Sequence, residues 1–258
     1  MANTASAHGH AHAHHWETSV APLLIVIGVL FLVVFGFLSW FSYNNILWTQ
    51  ICAGIGTPLL LAGIAKWTAE ALTQKPVVEG LTPIALPLFI VSEVFIFLGL
   101  FTSYWTMRLS AGDNWPPAGT PTDMNLILPI IMTVILVTSS FTYHVAEEKL
   151  AKNDIGGVRL WVFISIVLGA IFLGCTVYEY QHLFHMNFKP STNAYSTAFY
   201  SITGFHASHV LVGLGAFLTV LIAALAGKTN KYLTFCVGLY WHFVDVVWFF
   251  VVSQVYYW

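Results

Sequence analysis

Five ionisable side chains stand inside long apolar runs of the sequence, where a membrane would make each of them costly. They are Glu93, His206, His209, His242 and Asp245. A charged side chain at the centre of a membrane helix costs about 2.5 to 3.5 kcal/mol on insertion scales, so it is retained facing protein, water or a partner. We therefore predict that these side chains form, in part or whole, a polar cluster between helices.

The stretch 238–252, inside the last apolar run, indicates which way the polar side chains of that run face. His242 and Asp245 are three positions apart, which places them on one face of a helix. Trp241 and Trp248 flank that face one turn to either side and are predicted to pack in the same interface. The helix that carries them should therefore have an inward side.

The pair His206 and His209 lies one turn apart, among small residues that let a neighbouring helix approach closely. At about 1.5 Å of rise per residue, His209, Glu93 and the pair in the last run all lie near mid-bilayer depth. Three interpretations stay open: hydrogen bonds that fix helix packing, a proton relay, or metal or haem ligation. No closed ligand set of defined spacing is visible, so no metal site is predicted.

Glu179 and His182 bring a carboxylate and an imidazole to the outer end of the fifth apolar run. The tyrosines on either side of Glu179 are expected from the aromatic belt of membrane proteins alone. Only Glu179 needs a further account, and we predict a buried hydrogen bond to another helix.

The amino-acid composition indicates which class of protein holds these residues in place. Of 258 residues, 58% are hydrophobic and 8% are charged, against roughly 25% charged in a soluble domain. Seven apolar runs are each near the about 20 residues that cross a bilayer. The runs are 21–41, 47–68, 83–107, 126–146, 158–180, 198–226 and 232–256. We predict an all-α polytopic membrane protein with seven transmembrane helices.

The chain divides into three parts by composition. Residues 1–20 form a His-rich arm that we expect to be disordered, residues 21–71 carry a tight two-helix hairpin, and residues 83–258 carry helices three to seven. The net charge of −2 gives no indication of nucleic-acid binding. Most of the nine basic residues lie in links on one side, which predicts a cytoplasmic N-terminus and an outer C-terminus.

Several motifs resemble subunit III of the haem-copper oxidases. The most specific is Trp-His-Phe-Val-Asp-Val-Val-Trp at 241–248, preceded by Gly-Phe-His-Ala-Ser-His-Val at 204–210. Shorter matches follow the same order at 92–95, 115–119 and 178–180. The resemblance runs from about residue 83 to the C-terminus, whereas the first two helices agree only in number and hairpin form.

The resemblance implies a non-catalytic subunit of a proton-pumping cytochrome c oxidase, in a bacterial cytoplasmic membrane and an aerobic respiratory chain. Such subunits pack against subunit I, with subunit II in the same complex, and those partners carry the haem and copper. Phospholipid is expected in a cleft between the hairpin and the five-helix bundle. By position, Glu93 matches the family's intramembrane glutamate, and the histidines and aspartate of the cluster match its last two helices.

Other functions share these features. Subunit III of a quinol oxidase would carry nearly every motif, because subunit II decides the electron donor, and the accessory subunit of nitric oxide reductase is a further relative. A standalone proton-coupled carrier would also hold midplane carboxylates and histidines, but carriers usually show inverted repeats and broken helices. Neither is evident in the sequence.

Overall fold

The computed structural model describes residues 19–36, 38–73, 82–121 and 126–257, and in these ranges the regular structure is helical, without a strand. Seven helices there are long and apolar enough to cross a membrane. The α-helices are α1 (Ala21–Val29), α2 (Ile46–Thr73), α3 (Thr82–Ala111), α4 (Ile127–Ala151), α5 (Ile155–His185), α6 (Ala194–Leu225) and α7 (Lys231–Val251). The predicted all-α class with seven spans is confirmed, and the chain is an integral membrane protein.

The helices do not begin and end where the predicted apolar runs do. The first span continues from α1 through the π-helical turns Leu30–Phe35 and Leu38–Ser42, and α5 extends several residues beyond its run at both ends. Hydrophobicity marks the part of a helix in lipid, whereas capping residues mark where the helix stops. The predicted arm, apart from residues 19–20, and most of the link 72–82 lie outside the described residues.

The chain forms two compact units, Met1–Glu79 and Gly80–Trp258. In the first unit α1 and α2 make the predicted hairpin, joined by a turn in which Asn44 has a φ of 48°. Gly56 lets the two backbones touch, because a Cβ there would lie 2.7 Å from the backbone nitrogen of Leu32. Close backbone approach at small residues is the usual basis of helix association in membranes.

A short polar link joins α4 to α5 in the second unit. Asp154 caps α5 by accepting a hydrogen bond from the Gly157 N–H at 2.9 Å, and Lys149 lies 3.2 Å from its other carboxylate oxygen. The Gly157 bond first, and then the lysine, hold the pKa of Asp154 below its ordinary value. A charged cap therefore fixes the point at which α4 ends and α5 starts.

The centre of the second unit is built around Trp241, whose side chain is 0% exposed. The indole lies between Gly169 of α5 and Gly213 of α6. A Cβ on Gly213 would lie 2.6 Å from two of its ring carbons, and one on Gly169 would lie 3.1 Å from a third. Glycine at these two positions makes the space that the largest buried side chain of the core fills.

The C-terminal residues form hydrogen bonds to several other parts of this unit. After α7 the chain enters a π-helical turn, Val252–Tyr256, and four consecutive residues then bond to four different parts of the unit. Trp105 of α3 donates to Gln254, Tyr195 of α6 to the carbonyl of Val255, Tyr256 to Glu179 of α5, and Tyr257 to the carbonyl of Leu126 before α4. These C-terminal residues therefore connect α7 to α3, α5 and α6 and to the residue that precedes α4.

Candidate functional site

The structure brings Glu93 of α3 and His209 of α6 together. The Glu93 Oε2 and His209 Nε2 atoms are 3.0 Å apart, and the side chains are 14% and 10% exposed. Both residues lie well inside their membrane-spanning helices. A polar pair between two helices at this depth is the arrangement that retains ionisable side chains in a bilayer.

The hydrogen bonds of His209 constrain where the protons are. Its Nδ1 atom is 2.9 Å from the carbonyl oxygen of Phe205, and a carbonyl only accepts, so Nδ1 carries a hydrogen. A hydrogen bond between Nε2 and Glu93 then requires one proton in that contact. That proton rests on His209, as an imidazolium beside a carboxylate, or on Glu93, as a carboxylic acid beside a neutral imidazole. The pair can therefore pass a proton between two side chains without moving either helix.

Aromatic rings surround the imidazole of His209. Its ring centroid is 4.6 Å from that of Phe205, 5.2 Å from that of Phe97 and 6.2 Å from that of Phe243. Tyr240 of α7 donates to the backbone carbonyl of His209 at 3.2 Å. Apolar walls strengthen the interaction between paired charged groups by lowering the local dielectric constant.

His206 is not bonded to this pair. It is 1% exposed, and neither ring nitrogen has a hydrogen-bond partner within the described chain. The ring lies against Trp248 with centroids 5.1 Å apart and an interplanar angle of 29°, while Phe172 of α5 meets it edge-on at 5.8 Å.

Asp245 and His242 do not share the inward face that their spacing predicts. Asp245 is 7% exposed and accepts a hydrogen bond from the Ser140 hydroxyl of α4, whereas His242 is exposed. The inward stripe of α7 is centred on Trp241 and Trp248, and His242 lies about 100° round the helix from Trp241 at 3.6 residues per turn. His242 is therefore outside the cluster.

The two tryptophans of α7 donate hydrogen bonds to hydroxyl groups of α4. Trp241 Nε1 donates to Ser139 and Trp248 Nε1 donates to Thr133, each at 2.9 Å. Both hydroxyls donate in turn to backbone carbonyls of their own helix. Sequence reasoning missed these partners because a Ser or Thr in a membrane helix can satisfy its hydroxyl locally, and nothing in its spacing then reveals a bond to a neighbour.

Glu179 is buried and accepts a hydrogen bond from Tyr256 at 2.7 Å, which is a contact between α5 and the turn that follows α7. His182, one turn further along α5, is exposed and stacks on Tyr178 with ring centroids 6.5 Å apart. The two residues therefore do different things: Glu179 joins helices, and His182 lies on the surface.

No group of three or more His, Cys, Asp or Glu side chains is positioned to hold a metal ion within the ranges that the structure describes. The polar residues of the predicted cluster instead divide into three separate contacts. These are the Glu93–His209 pair, the Asp245–Ser140 bond and the stacked His206. The first of them places a carboxylate and an imidazole where they can share a proton.

Comparison with known proteins gives consistent matches. A family model described as cytochrome c oxidase subunit III matches residues 10–258. A "Probable cytochrome c oxidase subunit 3" of Nocardia farcinica is 41% identical over 169 residues, covering 64% of this chain and 82% of the relative. A "Cytochrome c oxidase subunit 3" of Synechocystis is 42% identical over 165 residues, 62% of this chain and 69% of the relative. One of Thermostichus vulcanus is 37% identical over 177 residues, 67% and 85% respectively.

Proposed function

The chain belongs to the cytochrome c oxidase subunit III family, and from this premise we propose that it is the non-catalytic subunit III of a proton-pumping haem-copper oxidase. Other oxidase subunits are its partners. Within that complex it stabilises subunit I, lies beside subunit II, binds phospholipid and supports proton uptake. The family match over residues 10–258 carries the proposal.

Catalysis belongs to the complex rather than to this chain. Haem and copper belong, in this proposal, to the partner subunits. Cytochrome c is the proposed electron donor, because the relatives are named for cytochrome c oxidase. The similar oxidase subunits of Nocardia farcinica and Synechocystis support a bacterial cytoplasmic membrane as its location. The distribution of basic residues supports an N-terminus in the cytoplasm and a C-terminus outside.

The direct test is purification through this chain in mild detergent. We expect subunits I and II to co-purify, the optical spectrum to show haem a, and the preparation to oxidise reduced cytochrome c. A colourless preparation of this chain alone would contradict the proposal and favour a standalone carrier. Oxidation of quinol in place of cytochrome c would favour the quinol oxidase instead.

The role in proton uptake is tested at the Glu93–His209 pair. In Glu93→Gln the amide can still donate a hydrogen bond to His209 Nε2, so the contact stays while the proton that the pair shares is lost. We expect lower turnover or pumping at high pH, where proton supply limits the enzyme, with assembly intact. Glu148→Gln makes the same chemical change on the exposed surface of α4 and serves as the control.

Activity that is unchanged at every pH in Glu93→Gln would mean that the pair only holds α3 against α6.

The proposed lipid binding is tested separately. Oxidase stripped of phospholipid should lose this subunit or inactivate faster during turnover, and added phospholipid should restore it. Enzyme that behaves identically with and without bound lipid would count against that role.

A further inference from the structure

His242 faces outward at a depth where a membrane offers it no solvent. Of the five residues predicted to form the polar cluster, all of which the structure describes, only His242 is exposed. It is the twelfth of 26 residues in the span Lys231–Tyr256, and at about 1.5 Å per residue it lies about 16 Å from the start of that span. Its imidazole forms no hydrogen bond with another described residue.

The imidazole lies in a stripe of exposed side chains along α7. The members of this α7 stripe are spaced by seven, four and three residues, which is the spacing of one helix face. They are Phe235, His242, Val246 and Phe249. His242 is therefore a single polar ring on an otherwise apolar face.

A second stripe of exposed side chains follows α4. Its members are spaced by three and four residues in alternation, which again is one helix face. They are Val134, Val137, Phe141, His144 and Glu148. This α4 stripe is apolar along most of its length and becomes polar only toward the C-terminal end of the helix.

The two stripes form one continuous surface. Ser140 and Trp248 bond to Asp245 and Thr133 respectively, so α4 and α7 pack side by side and run in opposite directions. At about 100° per residue, the α4 stripe is centred about 80° round its helix from Ser140. The α7 stripe is centred about 70° round its helix from Asp245, in the same rotational sense. Equal rotation on two antiparallel helices leads to the same side of the pair, and we call this side the α4–α7 surface.

His242 distinguishes a protein neighbour from lipid on this surface. The hydrocarbon of a bilayer has no hydrogen-bond donor or acceptor, whereas a neutral imidazole needs one of each. Exposed hydroxyls elsewhere in the spans, such as those of Thr138 and Ser208, are satisfied by carbonyls of their own helices. Ionisable side chains in a membrane are retained facing protein or water, and histidine bonds across helices in membrane bundles. The surface therefore has the character of a helix-binding face.

We propose that the α4–α7 surface binds a membrane-spanning helix of oxidase subunit I, which presents a hydroxyl, amide or carboxyl group to His242. The inference rests on the proposed function, because subunit I is a partner only if this chain is an oxidase subunit. The apolar residues of the two stripes supply the packed contact, and the imidazole fixes the depth at which the partner helix lies.

Photochemical cross-linking in the assembled oxidase tests the surface. The photoreactive residue p-benzoylphenylalanine is placed at Val246 in one variant and at Leu211 in the control, since Leu211 is also exposed and apolar but belongs to α6. Under ultraviolet light we expect the Val246 variant to form an adduct with a membrane helix of subunit I, and the Leu211 variant to lack that adduct.

Adducts of the Val246 variant with lipid alone, with a second copy of this chain or within the chain would overturn the proposal. An adduct with subunit I from position 211 and none from position 246 would overturn it as well. If the chain purified without any other oxidase subunit, the proposed function itself would fail, so the two failures are distinguishable.

Substitution of His242 tests the polar contact. His242→Leu removes both bonding atoms, whereas the amide of His242→Gln can still donate and accept. We expect detergent washing to release several-fold more of the His242→Leu subunit from the oxidase, and no more of the His242→Gln subunit, than of the unaltered one. Immunoblots of the membranes before solubilisation should show equal amounts of all three.

His182→Leu makes the same chemical change at an exposed histidine near the end of α5 and should leave retention unchanged. Equal release of the His242→Leu and unaltered subunits would overturn the proposed contact. Release that rises equally in His242→Gln and His242→Leu would also overturn it, because the loss would then not follow the hydrogen bond.

Discussion

Gly213→Ala should destabilise the second unit through a clash with Trp241. The added Cβ would lie 2.6 Å from two indole carbons, about 0.8 Å short of the 3.4 Å at which ordinary contacts begin. The indole has little freedom to retreat, since Gly169 approaches its far side, Phe217 packs on it at 4.5 Å and Ser139 holds its N–H. Overpacking of this kind costs about 1 to 3 kcal/mol.

The chain offers a matched control two residues away on the same helix. A Cβ on Gly215 would meet no atom within 4 Å. Both substitutions replace a helical glycine with alanine, and that change by itself stabilises a helix by roughly 0.8 to 1.0 kcal/mol. The difference in free energy of unfolding between Gly213→Ala and Gly215→Ala therefore measures the clash alone. Gly215→Ala should be more stable by about 1 to 3 kcal/mol.

The measurement is unfolding of the purified chain in mild detergent by increasing SDS, followed by far-ultraviolet circular dichroism. We expect the midpoint of Gly213→Ala to lie below that of the unaltered protein and the midpoint of Gly215→Ala to lie at or above it. Equal midpoints for the two variants would refute the claim that the α6–α7 interface is closely packed around this indole.

Three further predictions concern the polar contacts. Tyr256→Phe leaves the buried Glu179 without its donor and should lower the free energy of unfolding by about 1 to 3 kcal/mol, measured in the same SDS titration. A double-mutant cycle with Ser139→Ala and Trp241→Phe should give a coupling energy of about 0.6 kcal/mol and at most about 1.7, the range found between membrane helices. The folded chain lowers the pKa of Asp154, so the ionised carboxylate adds to the free energy of unfolding above its unfolded pKa, and this stabilisation is lost as the pH falls through the folded pKa. Asp154→Asn should therefore lose less stability at acid pH than the unaltered protein, measured in the same SDS titration.

Each of these has a control or a result that contradicts it. Tyr178→Phe removes a hydroxyl from an exposed tyrosine of α5 and should leave the midpoint unchanged. A coupling energy of zero between Ser139 and Trp241 would mean that the bond adds nothing to helix packing. An acid decline as steep in Asp154→Asn as in the unaltered protein would show that other carboxylates govern it.

Much of the fold follows from the sequence because a bilayer leaves few choices. Long apolar runs must become helices to satisfy their backbone groups, so the number of spans and the hairpin between the first two were predictable. The cost of burying charge likewise indicated that Glu93, His209 and Asp245 need protein partners. Helix ends were less predictable, because the polar residues that extend α4, α5 and α6 leave no trace in an apolar run.

The tertiary structure alone decided which groups meet. Helical spacing gives the face of a side chain on its own helix, but the rotation and register of the neighbouring helix are set by packing, here by an indole between Gly169 and Gly213. That packing pairs Glu93 with His209, gives Asp245 a serine in place of a histidine, and leaves His242 outside. Local bonding hides the hydroxyls of α4 from sequence inspection, and only the folded chain places them against α7.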